Sequence, residues 1–319
     1  MKVSIVIPCY NGEAFLDESI GSVLAQSYAD FECIVIDDAS TDGSRAMILD
    51  YAKRDPRIVP ILLEKNSGPS IARNTAIDAA TGDWVTLLDA DDVYDKDRIK
   101  TLVELAQKTG ADIVVDNQSV RNFGDDTHRF DAFGFMKGSG PVAITQELFF
   151  AESLPVAFMN TGYLKPMFSR AFLNAHQLRF PTQYRVGEDF FLYASCVAES
   201  PKFFAVDYCG YIYRRRQGSL SRSETSSLLS LANMSDELMT LFPKLSVASK
   251  ASLRKRKALI LRHIQWKRLK YALQDKKPFS AASILIRNPG LVMISKNFVR
   301  RRMQEYAHVL QQKKSADGV

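Results

Sequence analysis

Short apolar runs and amphipathic stretches alternate through the first 115 residues of this chain. Val3 to Ile7, Cys33 to Ile36, residues 58–63, Trp84 to Leu88 and residues 112–115 are apolar, β-branched or aromatic, and each predicts a short buried strand. Between them, residues 13–26 place Phe15, Ile20, Val23 and Leu24 roughly on one face, which predicts a helix. Further helices are predicted from Ser44 to about Lys53, from Pro69 to about Ala80 with proline in the first turn, and over 95–109 before Gly110. Repeated βα alternation predicts a doubly wound, mostly parallel sheet.

The pattern loosens over 116–150, where glycine turns separate Phe130, Phe133 and Phe135; this stretch is expected to be an insertion or an acceptor-side segment. Helices are predicted again near 169–176 and 188–199, then a strand over 202–206. After residue 225, Leu228, Leu231, Met234, Leu238 and Leu241 recur at helical spacing until Pro243, and a second helix is predicted over about 248–274. The expected division is therefore 1–225, with halves 1–115 and 116–225, followed by a helical extension over 226–319.

Polar clusters fall where the predicted strands end. Pro8-Cys9-Tyr10-Asn11 follows the first strand, Asp37-Asp38 the second and Asp89-Ala90-Asp91-Asp92 the fourth. In an open α/β sheet ligands bind outside the carboxyl ends of the strands, so three such clusters point to one crevice. Three crowded carboxylates repel unless something positive neutralises them. A divalent ion shared with a diphosphate does so with hard oxygen ligands; an acidic turn capping the next helix is the plainer alternative.

Composition narrows the choice. The 319 residues are 46% hydrophobic and 24% charged, as in ordinary soluble proteins. No run approaches the roughly 18 apolar residues of a membrane span, and the N-terminus is expected to be a first strand rather than a leader peptide. The four cysteines form no CxxC pair and the four histidines are scattered, which argues against zinc, disulfides and a Ser-His-Asp triad. No GxxxxGK[ST] loop and no GxGxxG after the first strand are present, so kinase, ATPase and dinucleotide readings are weak. Net charge is +6, but residues 226–319 hold 19 Lys and Arg against 5 Asp and Glu, while the rest holds 23 against 31. The acidic part suits a metal-using domain and the basic part an anionic partner. Trp266, Tyr271 and Tyr306 lie among the basic residues, but no nucleic-acid fold accompanies them, and none is expected to bind there.

The motifs resemble those of a known family. Val3-Ser4-Ile5-Val6-Ile7-Pro8-Cys9-Tyr10-Asn11-Gly12, Val35-Ile36-Asp37-Asp38-Ala39-Ser40-Thr41-Asp42-Gly43, Asn66-Ser67-Gly68-Pro69-Ser70-Ile71-Ala72-Arg73-Asn74 and Leu88-Asp89-Ala90-Asp91-Asp92 are similar, in order and spacing, to family 2 glycosyltransferases of the GT-A fold. Gly162-Tyr163-Leu164-Lys165-Pro166-Met167-Phe168, Gly187-Glu188-Asp189-Phe190 and Tyr213-Arg214-Arg215-Arg216-Gln217-Gly218 extend the likeness toward glucosyltransferases of succinoglycan-type exopolysaccharide synthesis.

That resemblance implies a Rossmann-like GT-A domain with a C-terminal helical extension, and an inverting transfer of a hexose, glucose in the closer likeness, from a UDP-sugar. Pro8, Tyr10, Asn11, Glu13, Asp38, Arg73, Asp89 and Ala90 would bind the nucleotide-sugar, with Tyr10 beside uracil, Asp38 accepting from uracil N3–H and Asp89 on ribose or sugar. Asp91 would hold Mn²⁺ or Mg²⁺, and Asp189 would be the base, oriented by Glu188. Arg214, Arg215 and Arg216 would meet the diphosphate or the acceptor, or else form a solvated basic strand. For Arg73 the alternative is a surface salt bridge and for Glu188-Asp189 a pairing with the helix dipole; Asp37 is expected to take a strand-end structural role rather than a direct contact. The implied acceptor is a polyprenyl-diphosphate-linked saccharide. The enzyme would then sit in the cytoplasm, peripheral on the inner face of the cell membrane, with basic helices such as Arg254-Lys255-Arg256-Lys257 on anionic lipid. A non-catalytic sugar-nucleotide-binding protein and a nucleotidyltransferase on a related fold are the competing readings.

Overall fold

The structure is a computed structural model that describes residues 1–138, 140–155, 159–215, 225–275 and 278–288. The first elements are β1 (Val3–Cys9), α1 (Glu13–Leu24), β2 (Phe31–Asp37), α2 (Ser44–Arg54), β3 (Ile58–Leu62), α3 (Pro69–Ala79) and β4 (Trp84–Leu87). They are followed by β5 (Val93–Tyr94), α4 (Arg98–Thr109), β6 (Ile113–Asn122), β7 (Asp125–Asp131), β8 (Val142–Ala143), α5 (Gln146–Ala151) and β9 (Met167–Ser169). The remainder is α6 (Arg170–Ala175), α7 (Glu188–Ala198), β10 (Phe203–Arg215), α8 (Thr225–Leu241), α9 (Val247–Gln274) and α10 (Pro278–Arg287).

Among the described residues ten strands form one sheet in the order β3-β2-β1-β4-β9-β6-β10-β5, with β7 beside β6 and β8 beside β10. β1, β2, β3, β4, β6 and β10 share one direction; β5, β7, β8 and β9 oppose it. The expected mostly parallel, doubly wound architecture is therefore present, with antiparallel strands woven into its second half. After β1 the chain builds β2 and β3 on one side, then crosses to β4 on the other. That reversal between β1 and β4 opens the crevice in which such folds bind ligands.

Both faces of the sheet are covered, which is why the strands are apolar without alternation. Alternate residues of β1 still go to opposite layers: Val3, Ile5 and Ile7 pack with Leu16, Ile20 and Ile48, while Val6 packs with Ala72, Ala76 and Ile77. The second layer continues through Phe149, Phe190, Met234, Leu238 and Leu253. This explains why the first compact unit runs from Met1 to Lys257, beyond the expected boundary at 225. The second unit begins at Ala258, and its described part has its own small core of Leu269, Ala272 and Ala281 with Trp266, Ile284 and Leu285.

Among its described residues, the stretch expected to be loose contains β6, β7, β8 and α5. β6 continues to Asn122 with Asp116, Asn117, Gln118 and Ser119 all buried. Asn117 donates to the Phe133 carbonyl at 3.0 Å and Gln118 to the Tyr163 carbonyl at 2.6 Å, so both amide nitrogens are satisfied, whereas Gln118 Oε1 is buried without a hydrogen bond. β10 is also longer than its apolar segment, because irregular pairing around Val206, Cys209 and Tyr211 interrupts the pattern.

At the sheet end remote from the crevice, Glu32 organises the start of the chain. Its carboxylate accepts from Ser4 Oγ at 2.5 Å, Thr81 N at 2.7 Å, Thr81 Oγ1 at 2.7 Å and Lys2 Nζ at 2.9 Å. Burial alone would raise its pKa; these donors, Ser4 first, reverse that and bring it down to about 2. A lowered pKa gives stability that is complete above the ordinary carboxylate value and is lost as pH falls through the folded value. Glu32→Gln is therefore expected to cost about 2 kcal/mol at pH 7, with the difference from the native chain closing between roughly pH 5 and pH 2. Urea unfolding across that range measures it.

Candidate active site

The loops after β1 and β2 are stitched together. Asn11 adopts a left-handed φ of 51°, a conformation asparagine tolerates. Its side-chain oxygen accepts from Thr41 N at 2.8 Å, and its own N–H donates to Ser40 Oγ at 2.9 Å. Glu13 accepts from Gly43 N at 2.8 Å at the start of α2, a favourable place for a carboxylate. Asp37 receives Arg45 Nε at 2.8 Å, the structural strand-end role expected of it. Tyr10 is half exposed at this rim, and Pro8 pairs opposite Ile36, one residue before the pairing of β1 ends at Cys9 and Asp37.

Asp38 is buried, and its two oxygens accept from Ser67 N at 2.7 Å and Gly68 N at 2.8 Å. It thereby latches the loop that begins α3, the helix that carries Arg73. Each oxygen keeps a second lone pair for another donor.

At the tip of β4 the charges condense into one cluster. Arg73 donates through Nη2 to Asp89 at 3.1 Å and through Nη1 to Glu188 at 2.8 Å, and lies 3.3 Å from Asp189 Oδ1. Lys165 donates from Nζ to Asp89 Oδ2 at 2.8 Å and to Asp189 Oδ2 at 3.0 Å. Both cations are buried, so Arg73 is not the surface salt bridge weighed as an alternative. Burial would lower the pKa of both, but Asp189 first, and Asp89 with it, hold each well above its ordinary value. Burial would raise Asp89; Lys165 and Arg73 keep it well below the usual carboxylate range. Glu188 is pushed up, by burial first and then by Asp189.

Glu188 and Asp189 reach this cluster because α7 starts abruptly. Gly187 has a φ of +85°, and a Cβ there would lie 2.2 Å from Leu231 Cδ2 of α8. Only glycine permits both the turn and the close approach. Phe190, next along, stacks on Phe149 at 6.1 Å and carries the Arg256 guanidinium 3.9 Å from its ring centroid. Arg256 also donates to the Leu231 carbonyl at 2.9 Å, and burial pulls its pKa down to about 10. The expectation that Arg256 faces lipid is thus corrected: it is an interior group, and the neighbouring Lys257 pairs with Asp236.

Lys165 was not singled out by sequence. Its signal was a lone cation between apolar Leu164 and Pro166-Met167-Phe168, a buried setting that requires a carboxylate. A second unanticipated element supports it. Arg98 is fully buried, grips Asp116 at 2.9–3.2 Å, lies 4.2 Å from the Tyr94 ring centroid and donates to the Lys165 carbonyl at 2.6 Å.

The remaining acidic residues at this tip have separate surroundings. Asp92 is buried, accepts from Tyr211 OH at 2.6 Å and Arg214 N at 2.8 Å, and is pushed up by burial and by Asp91 and Asp89. Arg214 also donates to the Asp91 carbonyl at 2.7 Å, pairs with Glu18 and faces the Phe123 ring. Arg215 is exposed at the end of β10, and Arg216 lies outside the described residues. Ala90 and Asp91 are half-buried at the tip. Among the described residues no three His, Cys, Asp or Glu side chains are grouped as a metal cage. A half-buried carboxylate such as that of Asp91, joined by diphosphate oxygens, is a donor set of the kind Mg²⁺ commonly takes.

A sheet with this switch point and an acidic strand tip defines a GT-A-type domain. The family model for "Glycosyl transferase family 2" matches residues 4–167. The chain belongs to glycosyl transferase family 2. It is 38% identical over 223 residues to the succinoglycan biosynthesis protein ExoO of Rhizobium meliloti, covering 69% of this chain but 62% of that protein. It is 30% identical over 229 residues to WfgD of Escherichia coli, a UDP-Glc:alpha-D-GlcNAc-diphosphoundecaprenol beta-1,3-glucosyltransferase, covering 71% of this chain and 82% of WfgD. The fold is like that of S. aureus TarS 1–349 with UDP-GlcNAc, at a TM-score of 0.62, 18% identity and coverage of 91% and 92%. The mannosyltransferase PcManGT of Pyrobaculum calidifontis, in complex with GDP-Man and Mn²⁺, has a TM-score of 0.59 at 18% identity, with coverage of 93% and 79%.

Proposed function

We propose that this chain transfers a hexose, glucose by its likeness to WfgD, from a UDP-sugar to a hydroxyl of a polyprenyl-diphosphate-linked saccharide in cell-surface polysaccharide synthesis. The observation that carries this reading is the single ammonium of Lys165 bonded to both Asp89 and Asp189. It puts the donor-side strand tip and the carboxylates of α7 within one charged cluster, as a direct displacement requires.

Tyr10 offers an exposed ring for uracil, Pro8 and Ala90 would join it at the nucleotide-sugar, and Asn11 and Glu13 hold the loops there. Asp38 uses its second lone pair for uracil N3–H. Asp89 and Arg73 set the sugar side, and Arg214 and Arg215 add positive charge toward the diphosphate. Asp189 takes the acceptor proton while the hydroxyl oxygen attacks the anomeric carbon opposite the departing diphosphate. Glu188, tied to Arg73, keeps the start of α7 in place. The anomeric centre inverts, so an α-linked donor gives a β-linked product. A divalent ion at Asp91, Mn²⁺ or Mg²⁺, would supply charge neutralisation for the leaving diphosphate.

The described part of the second unit carries Arg262, Lys267, Arg268, Lys270 and Arg287 against Asp275, and exposes Phe279, Ile286 and Tyr271. No helix among the described residues is long and apolar enough to cross a membrane. Basic and apolar groups together suit the headgroup region of anionic lipid, at about 1 kcal/mol per basic residue. This surface would bring the protein to its lipid-linked acceptor on the inner face of the cell membrane.

Three outcomes are expected. Asp189→Asn keeps UDP affinity near native and lowers turnover roughly 10²–10⁴-fold; native turnover, or an α-linked product from an α-donor, would sink the reading. Asp91→Ala removes the metal-dependent gain in UDP binding, about tenfold or more by calorimetry, and unchanged metal dependence refutes the Asp91 site. The full chain floats with phosphatidylglycerol vesicles at low salt and is released at about 0.5 M salt. Arg268→Gln, Lys270→Gln and Arg287→Gln combined should weaken flotation; equal flotation at all salt concentrations argues against the lipid surface.

A further inference from the structure

We propose that Lys165 is a positioning residue that holds Asp189 Oδ2 for the acceptor hydroxyl, an inference that rests on the transfer reaction proposed above. The lysine has little freedom. Leu164 and Met167 beside it are fully buried, its carbonyl is gripped by Arg98 at 2.6 Å, and its side chain is 6% exposed. Arg98 in turn is fixed by Asp116, so the ammonium is placed by the sheet itself rather than by a surface loop.

Asp189 presents two unlike oxygens. Oδ1 is buried beside Arg73 and makes no hydrogen bond. Oδ2 accepts from Lys165 at 3.0 Å, while the side chain as a whole keeps 17% of its surface exposed. With Oδ1 sealed, Oδ2 is the oxygen for the acceptor. Lys165 occupies one of its lone pairs and orients the other. In the transfer, the acceptor O–H proton passes to Oδ2 and the hydroxyl oxygen pair forms the new bond to the anomeric carbon. The pair of the breaking carbon–oxygen bond leaves with UDP. Lys165 gives up no proton.

Charge counting explains why a buried cation does not disable the base. Arg73 and Lys165 face Asp89, Glu188 and Asp189, so with every group ionised the cluster carries one excess negative charge. Uptake of one proton by Asp189 brings it to zero, and Lys165 remains paired with Asp89. No buried charge is left unpartnered on either side of the step.

The test is a double-mutant cycle with UDP-glucose and polyprenyl-diphosphate-linked GlcNAc as the probes, following kcat for transfer and UDP affinity by calorimetry. Lys165→Met should lower kcat about 10²-fold and leave UDP affinity within about threefold. Lys165→Met with Asp189→Asn should turn over at the rate of Asp189→Asn alone, because Lys165 acts through that carboxylate. The double variant has the same cluster charge as the native chain, so it carries the comparison if Lys165→Met alone does not fold. Native kcat in Lys165→Met, a double variant about tenfold slower than Asp189→Asn, or a tenfold loss of UDP affinity overturns the proposal. Native turnover in Asp189→Asn instead brings down the base assignment on which it rests.

Discussion

Two cations buried among three carboxylates are the constraint around which this molecule is arranged. Taking Arg73 and Lys165 out of water is expensive, and only close, well-aligned partners offset it. Those partners come from the tip of β4 and the first turn of α7, two places distant in sequence. The cluster therefore holds the two halves of the crevice to each other. Arg73 touches all three carboxylates and Lys165 two of them, so losing either cation shifts the balance of buried charge yet leaves Asp89 and Asp189 a partner each.

Support for the cluster comes from behind. The Arg98–Asp116 pair joins α4 to β6 and anchors the backbone at Lys165, while Tyr94 and Tyr211 supply aromatic surface around the guanidinium. On the far side, Arg256 and Leu231 press on the turn that starts α7. The helices after residue 225 thus belong, as far as Lys257, to the compact unit that supports the charged cluster.

Much of the first half was legible in sequence because its strands are doubly buried and its helices are punctuated by proline and glycine. Asp89, Glu188, Asp189 and Arg73 were named from motifs, and the structure brings all four into contact. The second half was harder for physical reasons. β6 carries Asp116, Asn117, Gln118 and Ser119 in its interior, which reads as a loop until their partners are known. The irregular pairing of β10 breaks alternation, so a 13-residue strand showed only its first apolar residues. Arg256 looked like surface charge because its neighbours Arg254, Lys255 and Lys257 are also basic; its inward rotation depends on Phe190, 66 positions earlier. Lys165 could be found only by asking why one charge stands amid apolar residues.

The end of the family match has its own meaning. The matched segment stops at residue 167, two residues past Lys165, whereas Glu188 and Asp189 lie beyond it. Lys165 is therefore the last charged group inside the matched segment, and its ammonium reaches Asp189, 24 positions further along and outside that segment. One nitrogen atom thus ties the family segment to the residues that follow it, and the start of α7 is located by a charge that the sheet itself holds still.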